Sequence, residues 1–339
     1  MKKKILFAVL TVSLLLTVGL VGYDSFILQT DSVDFFAMNT TVSVKLNGIK
    51  RQEMLRRIQQ RVTDLDQKRL SRTSDESEIA KINRSQGGTV EAQTAEWLKT
   101  LKELEQKSNF AFTADLGALT ELWGIGTENE RIPSREEISA VLLHTKKWSI
   151  QGNAVSLEEG AVLDLGAVGK GIACDEIRRE LEQTRTPKAI AAVGGSILLY
   201  STNENETFRI GIRDPQGEVS DYAVVLTTGN GCVSTSGNYE RCFVAEDGTK
   251  YHHIFNPATG YPAQSGLQSV TVLCPSGLLS DALSTACFVL GYEKSLVLLE
   301  AYGAKAVFIT EDNRILTYGD FADSLEITAE RYTLAEEPT

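Results

Sequence analysis

The sequence predicts an α+β fold on three observations. Helical patterning is gathered before residue 148, strand patterning is gathered after it, and the two do not alternate as a doubly wound sheet requires. A 339-residue chain with 42% hydrophobic residues can bury the core of one large domain or of two intimate ones, which excludes a disordered chain.

The N-terminus stands apart from that body. Lys2 to Lys4 precede the uncharged run Ile5 to Gly22, a basic start followed by an apolar stretch, so the chain is read as exported. The run is short for a spanning helix and long for the core of a cleaved signal, so both an anchor and a signal peptide fit residues 1–22. Leu20-Val21-Gly22 resembles the approach to a bacterial lipoprotein cleavage site, but Tyr23 stands where the lipidated cysteine belongs. The chain has 34 basic and 45 acidic residues, and three of the basic ones lie in this leader, which argues against a nucleic-acid partner. Five cysteines, an odd number set mostly among apolar neighbours, read as buried thiols, with Cys232 to Cys242 the one bridge left open.

Residues 23–33 read as a spacer. Asp34 to Leu46 alternates, with Val42, Val44 and Leu46 continuing one face, and predicts a strand. Arg51 to Leu70 carries Met54, Ile58, Val62 and Leu65 on one stripe and predicts a surface helix. Helices follow over 77–83 and 94–107, the second with Leu98, Leu101 and Leu104 inward, and Ser134 to Glu137 opens another with a capping-box pattern. Beyond Trp148 the predicted strands are 148–156, 161–165, 188–193, 196–200, 207–212, 222–228, 241–246, 250–255, 267–274, 305–310 and 314–318. Helices are predicted over 171–183, 280–290 and 292–302.

Several stretches carry possible chemistry. Ala161 to Asp175 reads as strand, tight loop and helix, with Gly166, Gly169 and Gly171 allowing close backbone approach and Lys170 placing a charge at a helix start, a combination that suits phosphate. An ordinary glycine turn has the same pattern, and the spacing is neither a Walker A loop nor a dinucleotide fingerprint. Val193-Gly194-Gly195-Ser196 reads as a bend in a sheet. Val233 to Arg241, with Ser234, Thr235, Ser236 and Gly237, reads as a hydroxyl-rich loop between strands. His252 and His253 stand side by side on a predicted strand, so only one of them can face a site. Asp281 and Thr285 are four apart on a predicted helix and can turn oxygens toward one hard cation; alternatively Ser280 or Asp281 caps that helix and Thr285 bonds to the preceding turn.

In this order the stretches resemble the FAD:protein FMN transferase family, often called ApbE. The matching residues are Ala37-Met38-Asn39-Thr40, Leu70-Ser71-Arg72 with Ser77-Glu78-Ile79 and Asn83, and Leu122-Trp123-Gly124. They continue through Leu163-Asp164-Leu165-Gly166-Ala167 with Lys170-Gly171, Val193-Gly194-Gly195, and Ser234-Thr235-Ser236-Gly237 with Tyr239-Glu240-Arg241. His253-Ile254 with Pro257 and Thr259-Gly260, then Asp281-Ala282-Leu283 with Thr285, complete them. The resemblance implies a single catalytic domain of mixed sheets and helices, related to the T-fold, over residues 34–330. It follows the signal or anchor at 1–22 and a linker at 23–33, and precedes a tail at 331–339. It also implies that Met38, Thr113, Asp164, Lys170, Gly194, Gly195, Ser236, His253 and Ile254 bind FAD, and that Ala167 through its carbonyl, Asp281 and Thr285 hold magnesium. Four positions depart from the family's pattern: Asn39 stands for glycine, Thr73 for an aromatic, and Thr113 and Asn256 for aspartates.

The implied reaction is transfer of FMN from FAD, a substrate as well as a ligand, to a Thr or Ser hydroxyl of another exported protein, with release of AMP. Magnesium and Lys170 would neutralise the pyrophosphate. His253, whose ordinary pKa suits neutral pH, is the candidate proton acceptor, with Asp281 its competitor. The expected place is the extracytoplasmic side of the bacterial cell membrane, tethered through the N-terminal segment. Two other classes compete: an FAD pyrophosphatase giving FMN and AMP, and an exported FAD-binding protein without chemistry. A serine acyl-transfer enzyme of the penicillin-binding type is excluded, because Ser-x-x-Lys does not occur.

Overall fold

The computed structural model of the protein describes residues 29–184, 186–321 and 324–335. The reading of residues 1–22 as signal or anchor lies outside them; among the described residues no helix is long and apolar enough to cross a membrane.

The described residues begin with β1 (Thr30–Ala37) and β2 (Thr40–Asn47), a hairpin where the pattern predicted one strand. The alternation of apolar residues runs through the turn and hides it. Met38 and Asn39 both take φ of 55°, as a two-residue turn matched to strand twist demands, and holding a non-glycine residue there costs roughly 1–2 kcal/mol at Met38. Asparagine tolerates this backbone, so Asn39 fills a position that glycine would otherwise fill. Thr30 to Val33, read as spacer, already belong to β1.

Helix α1 (Arg51–Leu65) buries Met54, Leu55, Ile58, Val62 and Leu65, then widens into a π-helical turn at Asp66–Leu70. Helix α2 (Glu78–Ser85), strand β3 (Gly87–Thr89), helix α3 (Ala92–Lys107) and helix α4 (Gly117–Trp123) follow. Helix α5 (Arg135–Leu142) starts with the expected capping box, Ser134 accepting from the Glu137 amide. The predicted strand 148–156 is a second hairpin, β4 (Trp148–Gln151) and β5 (Ala154–Leu157), broken where Gly152 takes φ of 60°.

Helix α6 (Gly169–Gln183) leads to β6 (Lys188–Val193), β7 (Ser196–Ser201), β8 (Phe208–Arg213), β9 (Tyr222–Thr228) and β10 (Gly231–Gly237). A two-stranded ribbon, β11 (Cys242–Val244) and β12 (Lys250–His252), precedes β13 (Leu267–Cys274). Helices α7 (Gly277–Leu290) and α8 (Tyr292–Tyr302), then β14 (Lys305–Thr310), β15 (Arg314–Tyr318), β16 (Leu325–Ile327) and β17 (Thr333–Leu334), complete the described chain. Thr333 and Leu334, read as tail, pair with β15.

The architecture is mixed α+β. A nine-stranded sheet runs β1-β2-β6-β7-β10-β13-β14-β15-β17. Helices α1, α6 and α7 cover one face, contributing Ile58, Ile172, Ile177, Leu283 and Phe288 to the main core with Val44, Val193, Leu198 and Val270 from the strands. The small sheet β16-β9-β8 covers the other face, where Phe208 and Ile210 meet Leu199 and Val233, and Val224 and Leu226 meet Val307 and Ile309. A third cluster packs Trp123 against Phe255, Tyr251 and Tyr261, with Trp123 Nε1 donating to the Gly260 carbonyl at 2.9 Å. All five cysteines are free thiols, so no Cys232 to Cys242 bridge forms.

Candidate active site

A cavity of about 680 Å³ opens where the β1–β2 turn, the start of α6, the β6–β7 turn, β10 and the segment after β12 converge. Every residue that the family resemblance assigns to FAD or magnesium lines it: Met38, Thr113, Asp164, Ala167, Lys170, Gly194, Gly195, Ser236, His253, Ile254, Asp281 and Thr285.

One wall is built from residues 161–175. The predicted strand 161–165 does not form; only Val162 bridges to Leu116. Side chains replace the ladder: Asn83 accepts from the Leu163 amide at 2.8 Å and donates to the Leu163 carbonyl at 2.9 Å, while the Asp164 amide donates to Ala114 at 2.7 Å. The Asp164 carboxylate then accepts the Gly166 amide at 2.8 Å and pairs with Arg72 at 3.2 Å. Helix α6 begins at Gly169, earlier than predicted, so Gly169 and Gly171 lie inside its first turn. Gly171 serves helix packing, because a Cβ there would strike the Gly277 carbonyl on α7.

That packing brings Lys170 to Asp281. Lys170 Nζ lies 3.8 Å from Asp281 Oδ1, which also accepts from Ser196 at 3.2 Å, and Asp281 Oδ2 accepts the Gly171 amide at 2.9 Å. The first helical bond of α6 runs from the Ile172 amide to the Val168 carbonyl at 2.9 Å, so Asp281 satisfies a first-turn amide that has no helical acceptor, and Ala167 lies just outside the helix on the cavity lining. Asp281 does not cap α7: Ser276 caps it, accepting from the Leu279 amide, and Asp175 of α6 accepts the Gly277 and Leu278 amides at 2.8 and 2.9 Å. Asp281 is 3% exposed. Burial pushes its pKa above the ordinary carboxylate range, against the opposing pull of Lys170 and the Gly171 amide. Thr285 bonds back to the Asp281 carbonyl at 3.4 Å, as one reading of its spacing expected, and its hydroxyl also meets Ser236 at 3.3 Å.

These residues fit magnesium. Asp281 and Thr285 line the cavity with Ala167 and can offer it a carboxylate, a hydroxyl and a backbone carbonyl, all hard oxygen donors, and among the described residues the nearly buried carboxylate has a single ion-pair partner, Lys170 at 3.8 Å. No cluster of three or more His, Cys, Asp or Glu side chains suited to a metal occurs among the described residues, so a nitrogen- or sulfur-rich site is not offered.

The hydroxyl-rich stretch is not a loop. Ser234, Thr235 and Ser236 belong to β10, central in the large sheet, where Ser234 meets Ser196, Thr235 meets Thr271 and Ser236 meets Ser284. Small polar residues disguise a strand whose side chains bond to hydroxyls on β7, β13 and α7. Gly194 and Gly195 form the tight β6–β7 turn; Gly194 has φ of 55°, and a Cβ on it would crowd Thr40 and the Lys170 stem.

The two histidines separate as the alternation required. His252 is buried, bonding the Ala263 carbonyl at 3.0 Å and meeting Phe288 edge-on. His253 lines the cavity with Nδ1 3.2 Å from the Arg241 carbonyl. A carbonyl only accepts, so Nδ1 carries the proton and Nε2 is an acceptor. Burial, reinforced by Arg241 and Lys170, lowers the His253 pKa to about 4, well below the ordinary value expected of it.

Thr113 faces the cavity, but its hydroxyl is engaged behind the wall, 2.8 Å from Glu105 and 2.6 Å from Asp115. Thr73 bonds Ser71, and Asn256 accepts the Ala258 amide as an aspartate would. Sequence reasoning missed Asp66, Arg213 and Phe255 in the lining. Arg213 ends a strand beside an Asp-Pro turn, a signal that was visible but unspecific.

The ApbE family model matches residues 38–308. The chain is 34% identical over 289 residues to the FAD:protein FMN transferase of Treponema pallidum, covering 78% of this chain and 79% of that one. It is 32% identical to the Escherichia coli K12 protein of the same name, covering 81% and 82%. The crystal structure of the ApbE protein from Thermotoga maritima superposes with a TM-score of 0.78 at 32% identity, covering 85% of this chain and 96% of that one. The flavin transferase ApbE from Vibrio cholerae gives 0.77 at 25% identity, covering 87% and 99%. With a matched family model, relatives above 30% identity and a shared fold, the chain belongs to the ApbE family.

Proposed function

We propose that this protein is a magnesium-dependent FAD:protein FMN transferase that acts on exported proteins. The observation that carries the reading is the Lys170–Asp281 contact on the cavity wall that also holds Ala167 and Thr285, within one cavity with His253. The names of its relatives supply the substrate class.

The acceptor is a Thr or Ser hydroxyl of another protein. Its oxygen attacks the FMN phosphorus of FAD, the bond to the bridging oxygen breaks, and AMP leaves with that electron pair. Ala167, Asp281 and Thr285 would hold magnesium, which supplies charge neutralisation at the pyrophosphate. Lys170 adds a fixed positive charge beside it. His253 takes the hydroxyl proton on Nε2; burial, with Arg241 and Lys170, depresses its pKa, and the negative charge of a bound pyrophosphate would oppose those two cations and make it a better base. Incubating the purified protein with FAD, magnesium and candidate exported proteins tests the reading by mass spectrometry. A flavinyl adduct with stoichiometric AMP supports transfer; FMN and AMP without adduct would mark a hydrolase, and unchanged FAD a binder.

Export rests on the basic start and the apolar run Ile5 to Gly22, which give an extracytoplasmic, membrane-tethered enzyme. Cell fractionation with N-terminal sequencing tests it, and an intact chain in the cytosol would rule it out.

A further inference from the structure

The β1–β2 turn enters the cavity in a backbone form that its first residue does not favour. Met38 and Asn39 both have φ of 55°, and Met38 has neither the missing Cβ of glycine nor the short polar side chain of asparagine that ease this conformation. One side chain holds it: the Asp66 carboxylate accepts the Met38 amide at 2.9 Å across 28 residues of sequence. Asp66 opens the π-helical turn, its own carbonyl accepting the Ser71 amide at 3.0 Å, and no ion pair engages its carboxylate among the described residues. The Met38 side chain reaches across the start of α6 beside Leu70: a Cβ placed on Gly169 would lie 4.0 Å from Met38 Cε and 3.8 Å from Leu70 Cδ1. Gly169 adjoins Lys170. Met38, Asp66 and Lys170 all line the cavity.

We propose that Asp66 is a positioning residue, which locks the Met38–Asn39 turn into its left-handed form and so presents Met38 to the FAD that the cavity takes. The bond is between a side chain and a backbone amide, so any residue with a correctly placed oxygen preserves it. A π-helical turn suits the role, since the extra residue in the turn re-aims a side chain off the regular helical track. The proposal rests on the FAD reading of the cavity for its consequence, but not for its mechanism.

The test joins two readouts on Asp66→Ala and Asp66→Asn. Amide hydrogen exchange at Met38 in the free protein reports the lock whatever the ligand, and titration with FAD reports the consequence. Asp66→Ala is expected to speed Met38 exchange and weaken FAD binding, each about tenfold, as loss of a charge-assisted hydrogen bond implies. Asp66→Asn, which keeps an acceptor oxygen, should stay within about threefold of the parent on both. In a Met38→Gly background the turn needs no lock, so adding Asp66→Ala should change FAD affinity by less than about twofold. Unchanged Met38 exchange in Asp66→Ala overturns the lock. Faster exchange with parental FAD affinity overturns the positioning role. Should the parent bind no FAD, the functional reading fails while the exchange result still decides the lock.

Discussion

Gly171 and Gly277 meet backbone to backbone where α6 crosses α7: a Cβ on either would run into the carbonyl oxygen of the other. The contact sits one residue from Lys170 and four from Asp281, so the spacing of those two charges depends on the absence of two side chains.

Gly171→Ala should therefore separate the helices. Overpacking against backbone exceeds what better helix propensity returns, and a net loss of roughly 2 kcal/mol is expected. Thermal melts read it, together with FAD titration, which should weaken in parallel. A parental melting temperature would refute the packing argument.

Lys170→Ala removes the cavity-wall charge that the proposed function places beside the pyrophosphate. FAD affinity should fall by about tenfold or more, and riboflavin affinity should hold, because riboflavin carries no phosphate. Isothermal titration with both ligands makes the comparison, and equal weakening would contradict it.

Asp281→Asn keeps shape at a site where burial already disfavours the charged form. Stability should stay within about 1 kcal/mol of the parent. FMN transfer should drop about a hundredfold or more with altered magnesium response, since one charged ligand and its field are lost. The rate across a magnesium titration, with melts alongside, is the measurement; a near-parental magnesium response would remove the metal from this helix.

The histidines set an acid window. His252 and His253 are both lowered to about 4, against 6.5 when unfolded, mainly by burial. Between these values the unfolded chain binds more protons, so stability falls as pH drops through about 6.5 and their contribution levels off below 4. Activity follows separately: kcat/KM, which reports the free enzyme, should show the His253 limb near pH 4, and kcat should show it at higher pH once pyrophosphate is bound. Identical limbs in the two profiles would count against His253 as the base.

Much of this was legible in the chain. Strands 222–228, 267–274, 305–310 and 314–318 and helix 292–302 fall where their periodicity placed them, because packing there follows the local pattern. Periodicity failed where Asn83 does the backbone's work around Leu163, and at β10, where small polar side chains that bond to neighbouring elements leave no apolar alternation. Asp66 left no trace in its own neighbourhood, since its partner lies in another hairpin. Ordered motifs identified the cavity residues, but the glycine at 171 was assigned to a ligand when its neighbour is a helix.

Asp175 gives the molecule a mechanical asymmetry. By capping α7 from α6 it ties the two helices that carry Lys170 and Asp281 to each other. The facing side is built differently, from a hairpin turn at Met38 and from a short ribbon between Arg241 and His253. Under the proposed function, substitutions on that side leave the spacing of Lys170 and Asp281 untouched, so a lineage can exchange what the cavity admits while conserving a single reaction.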